Sequence, residues 1–201
     1  MEIHDCEQRD ERWFELRRGR ATASMFSAVC AKGRGGGESK TRQTYMCKLA
    51  GERISGEPME NYVNAHIERG REMEAGARAA YSFLRDAEPE QVGFVTNAAA
   101  GASPDALLGD DGLLEIKTAL PHLMVEYLVN DVFPPSHLPQ TQGQLWVSER
   151  KWLDLVIFWP TMPLFVKRIE RDEEYIAKLT AEVTKFNAEL DELVKKVEAF
   201  R

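Results

Sequence analysis

Near residue 90 the hydrophobic period of this chain drops from between three and four residues to two. That switch limits the folds open to it more than any other feature. Before it, KTRQTYMCKLAGERISG (residues 40–56) carries an apolar stripe of Tyr45, Met46 and Leu49 and ends at Gly51 or Gly56. Residues 61–85 repeat the helical pattern through Ile67, Met73, Ala77, Ala80, Tyr81 and Leu84. After it, QVGFVTN reads as a strand, and ASPDALLGD and GLLEIKTA as two more joined by a Gly-Asp-Asp-Gly turn, a hairpin signal. PHLMVEYLVND and QTQGQLWVSER then read as helices, the second despite Gly143, with the proline-broken FPPSHLP between them. WLDLVIFWP and PLFVKRIE are strands joined at Pro160–Pro163, and a last helix closes the chain. Near the start, TASMFSAVCA reads as a short helix with Thr22 at its N-cap, followed by the glycine-rich loop KGRGGGES. Helices, hairpin, helices, hairpin and helix in that order predict an α/β fold with a mixed central sheet flanked by helices. A single domain over 1–201 accommodates all of it.

The last segment, 171–201, is an amphipathic helix. Ile176, Leu179, Val183, Phe186, Leu190, Leu193, Val197 and Phe200 alternate spacings of three and four, one seam that either docks on its own domain or pairs with another chain. At 43% hydrophobic and 29% charged residues the chain builds a core and stays in solution. No apolar run approaches the ~20 residues of a membrane span. The N-terminal MEIHDCEQRDERW lacks a secretory layout, so the expected location is the cytoplasm. Cys6, Cys30 and Cys47 are scattered and odd in number, which suits reduced thiols rather than a disulfide framework. His4, His66, His122 and His137 include no pair spaced for zinc. The net charge of −7 is uneven: residues 9–53 hold eleven Lys or Arg against five Asp or Glu. Such asymmetry lets one face meet DNA while the whole stays acidic.

Chemistry concentrates in SPDALLGDDGLLEIKTA. Side chains alternate along a strand, so Glu115 and Lys117 share one face and Ile116 points to the opposite, apolar layer. The hairpin should set Asp105 across from Glu115. Two carboxylates and the Ile116 carbonyl then form a hard oxygen set suited to Mg²⁺, with Mn²⁺ as a substitute. A cation there supplies an activated water, and Lys117 beside it balances phosphate charge. The competing reading is a surface hairpin with a Glu115–Lys117 ion pair. Leu113-Leu114, which lead into the pair, argue for burial.

These residues resemble the PD-(D/E)xK nuclease motif. More closely, from about Trp13 to Trp159, the chain resembles the lambda exonuclease family, the YqaJ-type viral recombinase nucleases. Four ordered motifs carry the likeness: WFELRRGRATAS, GREMEAGARAAYSF, SPDALL…LEIKTA and PQTQGQLWVSE. The resemblance implies a restriction-endonuclease-like fold and processive 5′-to-3′ digestion of double-stranded DNA from an end. It implies a 3′ single strand left for an annealing protein, three copies closing around the duplex, and a phage or prophage gene in a bacterial cell. By the same resemblance Asp105, Glu115, the Ile116 carbonyl and Glu74 hold metal, Lys117 is the catalytic lysine, and Gln142 lies near the attacking water. Arg17 and Ser24 hold the 5′-phosphate, and Arg18 beside Arg17 adds to a guanidinium fork for it. Ala106, where many relatives have Gly, and Thr118-Ala119, in place of Cys-Pro, depart from the pattern without touching a ligand position.

Several of these residues have plainer readings. Thr22 and Ser24 make an ordinary helix cap, although a helix start also attracts phosphate. Glu74 forms an i,i+4 pair with Arg78, or is packed in beside Gly70 and Ala77. Gln140 and Gln144 compete with Gln142, and His66, eight residues before Glu74, is a capping or solvated residue in preference to one that approaches the site. Other nuclease types fit less well: an iron–sulfur single-strand nuclease needs four cysteines, and no element for reading a restriction sequence is evident. A non-catalytic DNA-binding module leaves the intact Asp, Glu and Lys unexplained.

Overall fold

The computed structural model describes residues 1–37, 39–58 and 65–200, with the side chains of 36, 65–67 and 71 outside the described set. The start of the helix expected at Asn61, and the His66 side chain, therefore lie outside the described residues. The elements run β1 (Glu2–His4), α1 (Glu11–Arg17), β2 (Ala21–Thr22), a 3-10 turn (Ala23–Met25) leading into α2 (Phe26–Val29), a second such turn (Arg34–Gly36), α3 (Lys40–Ser55) and α4 (Ala65–Arg85). They continue through β3 (Phe94–Asn97), β4 (Ala100–Ala102), β5 (Ala106–Leu108), β6 (Gly112–Thr118), α5 (Pro121–Asn130), a 3-10 turn (Pro135–His137), α6 (Leu138–Ser148), β7 (Trp152–Phe158), β8 (Phe165–Glu170) and α7 (Glu173–Glu198).

The fold is α/β, but its strands form two four-stranded mixed sheets rather than one central sheet. The orders are β1-β3-β4-β2 and β5-β6-β7-β8. The chain crosses from the first sheet to the second at Ser103–Asp105, where Pro104 has no N–H to extend a ladder. In the second sheet β6 and β7 run parallel, joined through α5 and α6, as a parallel pair requires. β5 and β6 are antiparallel with Ala106 opposite Leu114, and Asp105, one residue before the paired strand, still bonds to β6. Asp105 donates its N–H to the Leu114 carbonyl at 3.0 Å.

The segment expected as one helix from Thr22 is instead a strand end, a 3-10 turn and a single helical turn. Thr22 occupies an N-cap position in extended conformation but makes no side-chain cap bond. Helix α1 went unread, although Asp10 caps it by accepting from Trp13 N at 2.6 Å. Gly56, with φ 73°, ends α3. Gly143 sits inside α6 for a packing reason: a Cβ there would meet the Phe26 ring at 2.4 Å.

Two apolar layers sandwich the second sheet. Leu113, Leu153 and Leu155 face the larger core, with Phe26, Leu145, Phe186 and Leu190. Ala106, Leu114, Ile116 and Val156 face α4 through Ala77 and Tyr81. Along β6 the alternation leaves Glu115 and Lys117 on the face away from Ile116. The seam of α7 docks on its own chain: Ile176, Leu179, Val183, Phe186 and Leu190 are buried, whereas Val197 and Phe200 in its last turns are exposed.

Candidate active site

Glu115 is a carboxylate buried to 2% exposure, and its surroundings explain how the fold tolerates it. Oε1 accepts from Lys117 Nζ and from Gln140 Nε2, both at 2.5 Å, and Oε2 accepts from Gln144 Nε2 at 2.6 Å. A buried charge survives when its oxygens are bonded and a cation is near. Asp105 stands beside it, its Oδ2 accepting the Ile116 N–H at 2.6 Å. Burial first, and then the Glu115 charge, push the Asp105 carboxyl well above the usual range, against the pull of Lys117 and the Ile116 N–H. Burial pulls Lys117 down, but Glu115, Asp105 and Glu74 together hold its ammonium above the ordinary value. His137, at the start of α6, is pushed down by burial and then by Lys117, which marks it as a neighbour of the same pocket that the sequence reading left unused.

Gln142 lies elsewhere. Its Nε2 donates to the Glu170 carbonyl at 2.8 Å and its Oε1 accepts from Asp172 N at 3.0 Å, tying α6 to the β8–α7 junction. The difference follows from helix geometry. At about 100° per residue, Gln140 and Gln144 stand one above the other, while Gln142 points to the far side. The i,i+4 spacing of Gln140 and Gln144 is the sequence signal that these two share the face bonded to Glu115.

Glu74 is near enough to raise Asp105 and Lys117, yet its carboxylate is turned to arginines. Oε1 accepts from Arg78 at 2.7 Å, and Arg9, which has a left-handed φ of 79°, approaches Oε2 at 3.5 Å. Ala77 beside it is fully buried, whereas a Cβ on Gly70 would make only ordinary contact, 3.5 Å from Thr118 Oγ1. The ion pair with Arg78 and the burial of Ala77 thus coexist. Among the described residues no three His, Cys, Asp or Glu side chains are gathered to hold a metal. Asp105 and Glu115 still fit a divalent cation by chemistry. They are adjacent carboxylates in a buried place where one resists losing its proton, and extra positive charge relieves that. Ile116 spends its N–H on Asp105.

The residues assigned to phosphate divide. Arg17 Nη1 approaches Ser103 Oγ at 3.4 Å and Nη2 approaches Thr22 Oγ1 at 3.5 Å. Its guanidinium lies 4.2 Å above the Trp13 ring, and Trp13 Nε1 donates to the same Ser103 Oγ at 2.9 Å. Thr22 Oγ1 is 3.4 Å from Ser24 Oγ. Arg17, Thr22, Ser24 and Ser103 thus join one half-buried cation to three hydroxyls. Burial pulls the Arg17 guanidinium below its ordinary value, against Tyr45 and Glu52. Ser103 and Trp13 were not singled out from sequence, although Ser103 is two residues from Asp105. Arg18 leaves the group, because its Nη1 turns to the Gly56 carbonyl at 2.7 Å.

Residues 12–151 match the YqaJ-like viral recombinase domain, a span that holds Arg17, Ser24, Glu74, Asp105, Glu115, Lys117 and Gln142. The chain belongs to that family. Its YqaJ-like fold is similar over nearly its whole length to the crystal structure of an alkaline exonuclease, LHK-Exo, from Laribacter hongkongensis. The identity is 34% and the TM-score 0.85, covering 94% of this chain and 97% of that one. The same enzyme in complex with dAMP gives a TM-score of 0.86. A phage-related exonuclease from Haemophilus somnus 129PT, 15% identical with a TM-score of 0.69 over 92% of this chain and 99% of that one, shares the fold. Among curated proteins none matches. As a YqaJ-like protein the chain is a nuclease. Among the described residues no helix is long and apolar enough to cross a membrane.

Proposed function

We propose that this protein is a Mg²⁺-dependent exonuclease that digests double-stranded DNA from an end, 5′ to 3′, leaving a 3′ single strand for an annealing protein. The observation that carries the reading is the adjacency of two polar clusters. Ser103 stands with Arg17, Thr22 and Ser24, and Asp105, two residues on, stands with Glu115 and Lys117. A terminal phosphate held by the first cluster lies beside the linkage presented to the second. The 5′-to-3′ direction rests on the likeness of Arg17 and Ser24 to a 5′-phosphate site.

Asp105, Glu115 and the Ile116 carbonyl would hold the cation, and Glu74 would join them on release from Arg78. A bound divalent ion polarises the phosphate and makes water nucleophilic at neutral pH. Lys117 keeps its proton and offsets the charge gathering on the phosphate oxygens. Gln140 and Gln144 fix both oxygens of Glu115, so that carboxylate is oriented before substrate arrives. Arg17 presents a fork of donors to the terminal phosphate, stacked on Trp13 so that little side-chain freedom is lost on binding.

The test compares linear duplex bearing 5′-phosphate, linear duplex bearing 5′-hydroxyl, and a closed circle, each with Mg²⁺. The phosphorylated end should be digested fastest and the circle left intact, and Asp105→Ala should abolish digestion. A cut circle would make the protein an endonuclease. Equal digestion by wild type and Asp105→Ala would remove the proposed centre.

A further inference from the structure

The turn that delivers Arg17 to the candidate site carries a second set of cations on its other side. A surface cavity of about 400 Å³ is lined by Arg18, Gly19, Arg20, Arg53, Ala98 and Ala99. Each guanidinium is tethered through backbone carbonyls. Arg18 Nη1 donates to Gly56 O at 2.7 Å. Arg20 donates to Leu16 O at 3.2 Å and to Ala98 O at 3.0 Å. Arg53 Nε donates to Gly19 O at 2.7 Å, and its stem fills the space a side chain on Gly19 would need, since a Cβ there would meet Arg53 Cγ at 2.3 Å.

Carboxylates are few around the cavity. Asp191, on α7, takes Arg53 Nη1 at 2.6 Å and is exposed, and Glu52, buried beneath, takes the Gly19 N–H at 2.8 Å. Among the described residues Arg18 and Arg20 form no ion pair. Burial and then the like charge of Arg53 pull the Arg20 guanidinium below its ordinary value, an unfavourable state that an arriving anion relieves. A guanidinium carries five donors; each of these arginines spends one or two on carbonyls, and Arg53 one more on Asp191. The remaining donors are held in place, which suits the planar, many-acceptor geometry of a phosphate.

We propose that Arg18, Arg20 and Arg53 form a second phosphate site, which grips a backbone phosphodiester of the DNA apart from the terminal 5′-phosphate. The assignment rests on the exonuclease reading for its ligand. DNA is preferred over an acidic protein segment because Arg17 and Arg18 are adjacent in the chain. One backbone turn therefore presents a cation to the candidate site and another to the cavity, as a polyanion passing both would require. The site gives grip without reading sequence, since phosphates carry none.

The experiment measures binding of a 5′-phosphorylated duplex by fluorescence anisotropy in chelator, so that no digestion occurs, across a range of salt. Arg18→Gln/Arg20→Gln should weaken binding at low salt and lower the slope of log K against log salt by about one to two, at roughly 0.9 per phosphate contact. Lys195→Gln, which removes one exposed charge on α7, should leave the slope unchanged. If loss of the Arg20 tethers unfolds the double variant, Arg18→Gln alone, which gives up one bond to Gly56, should lower the slope by about one. An unchanged affinity and slope would overturn the site. So would loss of poly-glutamate binding in the variant with duplex binding intact, which would assign the cavity to an acidic protein partner. Digestion by the wild type is assayed alongside. Its absence would discard the exonuclease reading, while the salt slopes decide the cavity separately.

Discussion

The buried carboxylates carry most of the tension in this molecule. Asp105 keeps its proton to higher pH in the folded chain than in the unfolded one, because burial and Glu115 oppose its charge. A folded pKa raised above the unfolded one stabilises fully below the ordinary 3.8 and ceases to as pH rises through the raised native value. Thermal stability of the metal-free protein should therefore fall through that window, and Asp105→Asn should remove the fall. Mg²⁺ binding should release a proton across the same range, measurable by calorimetry in buffers of different ionisation heat. Gln144 gives a second expectation. With Gln144→Ala, Glu115 Oε2 loses its donor in a buried place, at a cost of about 1–3 kcal/mol in urea denaturation. Gln142→Ala should cost stability through the β8–α7 junction while leaving Mg²⁺ affinity unchanged. The sequence made Asp105, Glu115 and Lys117 legible because a charged strand following Leu113-Leu114 is rare and its register is simple. It did not separate three glutamines spaced two apart, since which face of α6 meets β6 depends on a packing arrangement the local pattern does not encode.

At the scale of elements, α4 is pinned where Glu74 needs it. Asp154 on β7, almost wholly buried, accepts from Tyr81 Oη at 2.7 Å and from Arg168 at 2.8 and 2.9 Å, and that guanidinium lies 3.6 Å over the Trp152 ring. Tyr81 is two helical turns beyond Glu74, so the same face of α4 carries both the clamp and the acid. Helix α7 plays a comparable part. Phe186 stacks on Tyr45 at 5.6 Å, and the Tyr45 hydroxyl accepts the Thr22 N–H at 3.3 Å, so the docked helix braces the segment that carries Thr22 and Ser24. Phe186→Ala should cost about 3–5 kcal/mol in chemical denaturation. The seven-residue seam was plain in the sequence. Its docking surface was not, because α3 and α2 are far away along the chain. The strands β1, β2 and β4 escaped notice for a different reason: at two or three residues each they are too short to display a period.

For the whole molecule, the cations of the N-terminal region end in different places. Arg17 is half-buried beside hydroxyls, Arg42 and Arg53 are paired with Glu189 and Asp191 of α7, and Arg18 and Arg20 line an open cavity. The basic excess of residues 9–53 is therefore partly neutralised within the fold, and Arg18 and Arg20 are among the cations that remain. If three copies surround the duplex, sedimentation should give a species of three times 22.8 kDa. A single-chain species that still digests processively would discard the ring. The crossing from one sheet to the other has a last consequence. Ser103 and Asp105 are separated by two peptide links, a span of about 7 Å at most. If the proposed roles hold, the gauge between the group that meets a terminus and the group that serves the scission is covalent, and no loop movement would lengthen the stride beyond it.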